Sequence, residues 1–391
     1  MTSSTDYIEL TYDRDIAHSA IYSNSYTYTN NRRIWLPFSN YGNGTTIEWA
    51  DGNVTYKEGA ISSSDTSFDT DVSIQTSAFD AGSTITIKVY GDVKSFLGKT
   101  VHANSTSRDN RVFWSNTALK SVKIVGMSSI TNCNFAFSNA INLESVDLTE
   151  FDSSNVTNMS YMFYNCTSIE TIDFTGSNDV SKVTSFYGTF YNCSSLTDLN
   201  ISTWQTNDAT SMTSMFRGCS DLPYIAPSSD ANRANAEFVL NTTKVTDMTY
   251  MFNGCSSLVK LHPTNWDTSA VKEMDYMFDG CSSLTFVDLG EWDVSNTTGG
   301  LESSNGMTYM FNGCSSLDND GVNFSKWCVS QYSDEPRNFR ANGTLFVEKP
   351  DWGYACENKT PGPISVPPYD YIELTYDRDI AHSAIYSYSY T

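Results

Sequence analysis

The sequence predicts a mainly β protein with short helical turns, in which an N-terminal β-sandwich is followed by a solenoid of stacked repeats. Short runs of alternating apolar and polar residues, separated by Gly, Asn, Asp and Ser, fill residues 6–100 and are typical of strands joined by turns. A unit of about 26 residues then recurs over residues 101–327. Repetition at a nearly fixed period is typical of solenoids.

The N-terminal sandwich is predicted from strand candidates at 34–38, 46–49 and 83–90. The tetrapeptide WADG at 49–52 and the later STITIKVYGD resemble the W-x-D-G turn and the penultimate strand of polycystic-kidney-disease-like (PKD-like) immunoglobulin-type domains. This resemblance implies an immunoglobulin-like β-sandwich over residues 6–100.

An F-x-x-C-x-x-L pattern sets the register of the repeats, with Ala in the Cys position of the first copy. Its aromatic positions are Phe137, Phe163, Phe190, Phe216, Phe252, Phe278 and Phe311. Two insertions, at 223–241 and 297–305, are polar and are expected to be loops on one face of the stack.

Each repeat combines a strand pattern with a helical pattern. LESVDLTEFD has the apolar spacing of a strand, and VTNMSYMFYNC has apolar residues at i, i+3, i+6, i+7 and i+10, which indicates one face of a short helix. A single unit cannot bury this stripe alone. The units are therefore expected to stack into a continuous core of about seven coils.

The repeats also resemble a known family. The segments NVTNMSYMFYNCTSIETIDF and KVTDMTYMFNGCSSL, with the ending WCVSQYSDEPRNF and KPDWGYAC, are similar to the BspA-like leucine-rich-repeat surface proteins over about residues 115–356. The resemblance implies a leucine-rich-repeat solenoid at 101–327 with a C-terminal cap at 328–356. It also implies attachment, surface coating or cell contact without a catalytic site.

The nine cysteines fall into two groups. One cysteine per unit forms a predicted core column of packing thiols: Cys166, Cys193, Cys219, Cys255, Cys281 and Cys314. Cys328 and Cys356 flank the cap and are expected to form a disulfide, while Cys133 is left over. A zinc site needs close cysteine pairs such as C-x-x-C, and the sequence has none.

The sequence predicts no enzyme and no cofactor. The four histidines form no Cys-His or Ser-His-Asp arrangement, and no glycine-rich phosphate loop is present. The D-N-D-G run at 318–321 and the D-G pair at 51–52 resemble parts of calcium loops, but neither completes one. A plain turn is the favoured interpretation of both.

The charge balance excludes two kinds of partner. The formal net charge is −22, so nucleic acid and anionic membranes are not expected to bind. No run of about 18 apolar residues spans a bilayer, and the first residues lack the features of a signal peptide. We expect an extracellular, cell-surface or virion-surface location, with the export route left open.

Residues 370–391 repeat residues 6–27 with a single change, Asn24 against Tyr388. The repeated segment alternates like a strand, and a Pro-rich linker at 357–369 precedes the copy. Strands can be exchanged between molecules. The predicted polymer joint consists of Tyr7, Ile8, Leu10 and Tyr12 with their copies Tyr371, Ile372, Leu374 and Tyr376.

The favoured function is a subunit or tandem repeat unit of a filament that associates with itself head to tail. Residues 370–391 are either the first strand of the next unit or a donor strand for a separate chain. The alternative is an adhesin that binds a host glycan or surface protein through the solenoid face. Trp204, Trp266 and Trp292 recur just past the strands and could stack on sugars, but packing at the coil edges is the favoured interpretation of these residues. The predicted glycosylation sites are Asn241, Asn296, Asn342 and Asn358.

Overall fold

The structure is a computed structural model of the 391-residue chain. It describes residues 6–13, 33–35, 38–41, 45–51, 54–61, 73–75, 84–91, 93–96, 117–174, 179–225, 231–263, 265–297, 306–324, 327–346 and 349–353. The linker at 357–369 and the copied segment at 370–391 lie outside these residues.

The described elements are short β-strands, which agrees with the mainly β prediction. The strands are β1 Tyr7–Asp13, β2 Arg33–Trp35, β3 Phe38–Tyr41, β4 Thr45–Asp51, β5 Val54–Ile61, β6 Ser73–Gln75, β7 Thr84–Tyr90, β8 Val93–Phe96, β9 Leu119–Gly126, β10 Ser145–Phe151, β11 Thr171–Asp173, β12 Asp198–Asn200, β13 Lys260–Leu261 and β14 Phe286–Val287. Two 3₁₀ helices are Arg233–Asn235 and Asn319–Gly321.

Eight strands form one mixed sheet in the order β12-β11-β10-β9-β1-β7-β4-β5. The strands from β9 to β12 pair in parallel. β1 pairs antiparallel with both β9 and β7, and β4 pairs antiparallel with β7 and β5. Three two-stranded sheets, β13-β14, β2-β6 and β3-β8, complete the described pairing.

This sheet corrects the predicted fold class. The sequence predicted a separate immunoglobulin-like sandwich before the repeats, but hydrogen bonding continues from β5 to β12 through β1, and the described strands form no clear immunoglobulin sandwich. Alternation identifies a strand and its two faces, but it does not identify the neighbours of that strand. The N-terminal strands and the first repeats therefore share one sheet.

The predicted leucine-rich-repeat solenoid is also wrong in its regularity. The described repeats form no closed solenoid, because the ladder of β-strands ends at β12 and resumes as the separate pair β13-β14, which a single parallel bridge extends from Val287 to Val322. The insertion that begins at Pro223 lies between these strands. A proline has no backbone N–H to donate to a ladder.

The predicted helical turns are β-turns. The N–H of Met162 donates to the carbonyl of Met159 at 3.2 Å, whereas that of Tyr161 donates to Tyr187 of the next repeat at 2.8 Å. The backbone of Tyr161 is left-handed, with φ of 56°, and such a residue cannot continue a right-handed helix. Consecutive turns three to four residues apart imitate the apolar spacing of a helix.

The repeats nevertheless stack through backbone bonds and a shared core. Isolated parallel bridges link one residue of each successive repeat: Asn132, Asn158, Ser185, Ser211, Asp247 and Glu273. The seven F-x-x-C phenylalanines have no solvent exposure, and their neighbouring ring centroids lie 5.3–5.9 Å apart. We call the described residues from 117 to 353 the repeat stack.

The last described turns cover the end of the repeat stack. Phe339 and Phe346 pack against the ring of Phe311 at centroid distances of 5.3 and 5.6 Å, and Trp327 is fully buried. Among the described residues, no helix has the length and apolar character needed to cross a bilayer.

Candidate functional site

The candidate site is the position that β1 occupies in the sheet. β1 pairs with β7 on one side and with β9, the first strand of the repeat stack, on the other. Both edges of its backbone are therefore bonded. An interior strand contributes more to sheet continuity than an edge strand, because its removal leaves two rows of backbone groups without partners.

The inner face of β1 is part of the hydrophobic core. Ile8, Leu10 and Tyr12 have no solvent exposure. Full burial of one such aliphatic side chain contributes about 1.5–3 kcal/mol. This place in the sheet therefore accommodates an apolar side chain at every second residue of the strand that fills it.

The outer face of β1 is half-buried and matches β7 residue by residue. The matched pairs are Tyr7 with Tyr90 at 5.9 Å between ring centroids, Glu9 with Lys88 at 2.8 Å between Oε2 and Nζ, and Thr11 with Thr86 at 3.2 Å between the hydroxyl oxygens. Lys88 also lies 4.8 Å above the ring of Tyr7. Its hydrogen bond with Glu9 raises the pKa of Lys88.

The structure places half of the predicted joint residues. Tyr7, Ile8, Leu10 and Tyr12 lie on β1, with the three apolar side chains inward. Their copies at 371, 372, 374 and 376 lie outside the described residues. Residues 370–377 read DYIELTYD, as residues 6–13 do, so every side chain of β1 has an identical counterpart in the copy.

Sequence reasoning missed the residues that receive β1. Lys88 on β7 and Lys123 on β9 face Glu9 from its two sides, but they lie far from it in the chain. Their alternating strands were visible in the sequence as TITIKVY and LKSVKIVG. Alternation alone does not reveal pairing between such distant strands.

The predicted cysteine column is buried and bonded to the backbone. Every thiol donates to the carbonyl of the phenylalanine in the preceding repeat, at 3.1–3.2 Å. Burial raises the pKa of all six thiols, that of Cys255 to about 12. These groups are protonated donors at neutral pH and are poor nucleophiles.

The remaining cysteines differ in state. Cys328 is disulfide-bonded, and Cys356, its predicted partner, lies outside the described residues. Cys133 is free and buried in the first repeat. The pairing of Cys328 with Cys356 stays a prediction.

Three of the four predicted glycosylation sites are described. The amide nitrogens of Asn241, Asn296 and Asn342 each donate a hydrogen bond to a neighbouring repeat, at 3.0, 2.6 and 2.8 Å. Asn358 lies outside the described residues. Glycosylation at these positions stays a prediction.

The tryptophans that the adhesin hypothesis offered for sugar stacking are buried, as the favoured packing interpretation expected. Trp204, Trp266 and Trp292 are 2%, 4% and 2% exposed. Trp266 and Trp292 stack on each other with centroids 5.8 Å apart. A ring whose faces are covered by protein does not present a face to a sugar, so these three residues do not support that alternative.

Metal binding has little support in the described part of the chain. No group of three His, Cys, Asp or Glu side chains is arranged there to hold an ion. The carboxylate of Asp318 instead accepts the backbone N–H groups of Asp320 and Gly321, which begins a 3₁₀ helix. Gly52, of the other weak calcium candidate, lies outside the described residues.

One family matches the chain. It is described as "Mycoplasma protein of unknown function, DUF285", and it matches residues 108–225 and 228–351. The match is consistent with the resemblance to BspA-like surface repeat proteins, and it does not extend to the predicted immunoglobulin-like region. No curated protein matches this chain.

Proposed function

This chain belongs to the DUF285 family of proteins of unknown function, and we propose that it is the structural subunit or tandem repeat unit of an extracellular or virion-surface filament. Units join head to tail through the duplicated strand. In the joint, residues 371–377 of one unit take the position that β1 holds in the sheet of the next.

The observation that carries this proposal is the interior position of β1 together with its identical copy. A segment that fills this position gains backbone hydrogen bonds to both β7 and β9 and buries Ile372, Leu374 and Tyr376 where Ile8, Leu10 and Tyr12 now lie. Exchange of identical elements is a low-cost route to association. Because donor and acceptor positions differ, the association runs head to tail, and it builds a filament as long as successive units do not close into a ring.

The surface location is supported by charge and by resemblance. A net charge of −22 keeps a protein soluble and away from anionic surfaces. BspA-like proteins, which the repeats resemble, are mostly extracellular or virion-associated.

Two forms of the joint satisfy the same geometry. In a covalent tandem array, residues 370–391 are the first strand of the next unit in one polypeptide. In a polymer of separate chains, they are a donor strand. The mass of the native polypeptide, measured after reduction, denaturation and deglycosylation, distinguishes a single unit from an array.

A disulfide trap tests the joint. The hydroxyl oxygens of Thr11 and Thr86 are 3.2 Å apart, and directly opposed strand residues have Cβ atoms about 4.5–5.5 Å apart, close to disulfide geometry. Thr375 is the copy of Thr11. We expect the purified Thr86→Cys/Thr375→Cys chain, after mild oxidation, to run on a non-reducing gel as a ladder at multiples of the chain mass.

The matched control is the Thr86→Cys/Thr11→Cys chain. It should form the same bond within one chain and give no ladder, which shows that the position accepts the disulfide. If this control cross-links while the Thr86→Cys/Thr375→Cys chain stays monomeric at high concentration, strand exchange is wrong.

A further inference from the structure

We propose that the repeat stack associates side by side with a second copy of itself, in the antiparallel direction, through a face that is rich in tyrosine. This face consists of two positions of each repeat, the second residue before the core phenylalanine and the first residue after it, and we call it the tyrosine face. The proposal does not rest on the head-to-tail joint, since it uses neither β1 nor the copied segment.

Aromatic rings form a ladder along the tyrosine face. The position before the phenylalanine holds Phe135, Tyr161, Tyr250, Tyr276 and Tyr309, and the neighbouring rings that stack have centroids 4.7–4.8 Å apart. The five side chains are half-buried. Because stacked rings cover each other's faces, the ladder offers mainly ring edges to a partner, and a sugar would need a free face to stack on.

The backbone does not explain the aromatic residues of this ladder. All five have φ between 56° and 59°, in the left-handed region that bulky residues rarely adopt. The third repeat has Gly188 at the same position, with φ of 58°, where glycine fits without strain. Core packing does not explain the rings either, since they are only half-buried. An outlier that neither the backbone nor the core requires points to a functional surface.

Arg217 continues the ladder in the fourth repeat, where Ser214 takes the place of a ring. Its guanidinium carbon lies 4.1 Å from the ring centroid of Tyr250 and 5.2 Å from that of Tyr191. Among the described residues, this guanidinium has no hydrogen-bond acceptor and no ion-pair partner. A guanidinium held against aromatic rings keeps its planar N–H groups for a carboxylate.

The charges of the tyrosine face favour a second copy as the partner. Only two of its fourteen positions are charged, Arg217 and Asp279. The face therefore has no formal net charge, in a chain whose net charge is −22. Tyrosine and arginine with few other charged residues are typical of protein interfaces. A second copy also has the same repeat spacing, so a contact made at one repeat can recur at the next.

The order of the charges selects the antiparallel arrangement. Arg217, Asn253 and Asp279 hold the same position in the fourth, fifth and sixth repeats. A twofold axis across the fifth repeat places the fourth repeat of one copy against the sixth repeat of the other. Each Arg217 then faces Asp279 of the second copy, and residue 253 faces itself. In a parallel pair the fourth repeats face each other, and neither Arg217 meets a carboxylate of this face.

A single cysteine on the twofold axis tests the pairing. We expect the purified Asn253→Cys chain, after mild oxidation, to run at twice the chain mass on a denaturing, non-reducing gel. The matched control is Thr285→Cys, an exposed position outside the tyrosine face, which should stay at the mass of one chain. If Asn253→Cys gives no more dimer than this control, the lateral pairing is wrong. The ladder of the Thr86→Cys/Thr375→Cys chain tests the head-to-tail joint separately.

Two charge reversals test the orientation. Arg217→Glu or Asp279→Lys, added to the Asn253→Cys chain, places like charges opposite each other in a pair of identical chains. We expect each reversal alone to lower the dimer yield by roughly tenfold. An equimolar mixture of the two variants should recover the yield to within about threefold, because only a mixed pair brings opposite charges together at both contacts.

The mixture separates contacts between chains from contacts within one chain. Arg217 also attracts Asp279 of its own chain, and mixing does not restore that attraction. Recovery therefore reports only the contacts between chains, provided that urea unfolding shows both variants to be folded. A yield that responds to neither reversal, or a mixture that stays as low as each variant alone, would contradict the antiparallel arrangement.

Discussion

At the scale of single residues, the cysteine column shows why one residue type recurs at the same place in each repeat. The site is fully buried and takes a small side chain, which can add a second hydrogen bond to a phenylalanine carbonyl of the preceding repeat that already accepts a backbone N–H. A thiol meets both needs, since it packs as a small apolar group and donates a weak hydrogen bond. Serine would bond more strongly, but desolvation of its hydroxyl costs more.

The buried thiols predict a loss of stability at alkaline pH. Unfolded thiols ionise near their ordinary pKa of 9.0, whereas folded Cys255 stays protonated to about 12. The folded state then binds more protons, so the free energy of unfolding falls as pH rises above about 9. Each such thiol contributes a slope of about 1.4 kcal/mol per pH unit. Urea unfolding at a series of pH values from 8 to 10 measures the total loss in the free energy of unfolding.

The matched variant is Cys255→Ala. It should be less stable than the unmodified chain at pH 7, where the thiol contact is intact, and its stability should fall less steeply above pH 9. Equal slopes for the two chains would contradict the assignment of the alkaline loss to these thiols.

At the scale of elements, the turns of the repeat stack depend on a column of left-handed residues. The position two residues after each core phenylalanine is Asn139, Asn165 or Asn192 in the first repeats, with φ of 60–62°. In the later repeats it is Gly218, Gly254, Gly280 or Gly313, with φ of 74–77°. Asparagine and glycine are the residues that adopt this conformation most readily.

Gly280 tests this column. A Cβ at Gly280 would lie 3.6 Å from the Cα of Gly254, an ordinary contact, so the cost of a substitution comes from the backbone. We expect Gly280→Ala to lower the free energy of unfolding by about 1–2 kcal/mol and Gly280→Asn to lower it by less. Chemical denaturation of the two variants measures both. If Gly280→Asn lowered the free energy of unfolding as much as Gly280→Ala does, the left-handed backbone would not explain the residue choice at this position.

At the scale of the whole molecule, net charge opposes the association that the joint promotes. Every unit carries a formal charge of −22, so two units repel each other at low ionic strength. The ion pairs at the joint are half-exposed, and such pairs contribute little. The repulsion between whole units is therefore expected to influence the salt dependence of association more than the ion pairs at the joint do.

Salt should consequently favour polymerisation. Raising the ionic strength from about 0.01 M to about 0.15 M shortens the screening length from about 30 Å to about 8 Å. We expect the ladder of the Thr86→Cys/Thr375→Cys chain to lengthen over this range. The internal cross-link of the Thr86→Cys/Thr11→Cys control should not change. A ladder that shortens with salt would mean that the local ion pairs dominate.

Much of the local organisation was predictable from the sequence. The F-x-x-C register matches the stacking of phenylalanines and the order of the parallel bridges, because a repeated unit carries its own core residues. The two faces of β1 followed from alternation. The Asn and Gly positions after each phenylalanine carried the signal for left-handed turns, but the apolar spacing suggested a helix instead.

The sequence by itself determined the repeat register, the inner and outer faces of the strands and the identity of the copied segment, since these depend on residues close together in the chain. Only the tertiary structure decided that β1 lies between β7 and β9, that the N-terminal strands and the repeats share one sheet, and that charges alternate across it. The pairing of β1 with β7 and β9 joins residues about 70 to 120 positions apart. Backbone hydrogen bonds are the same for every residue type, so local sequence carries little information about which distant strands meet.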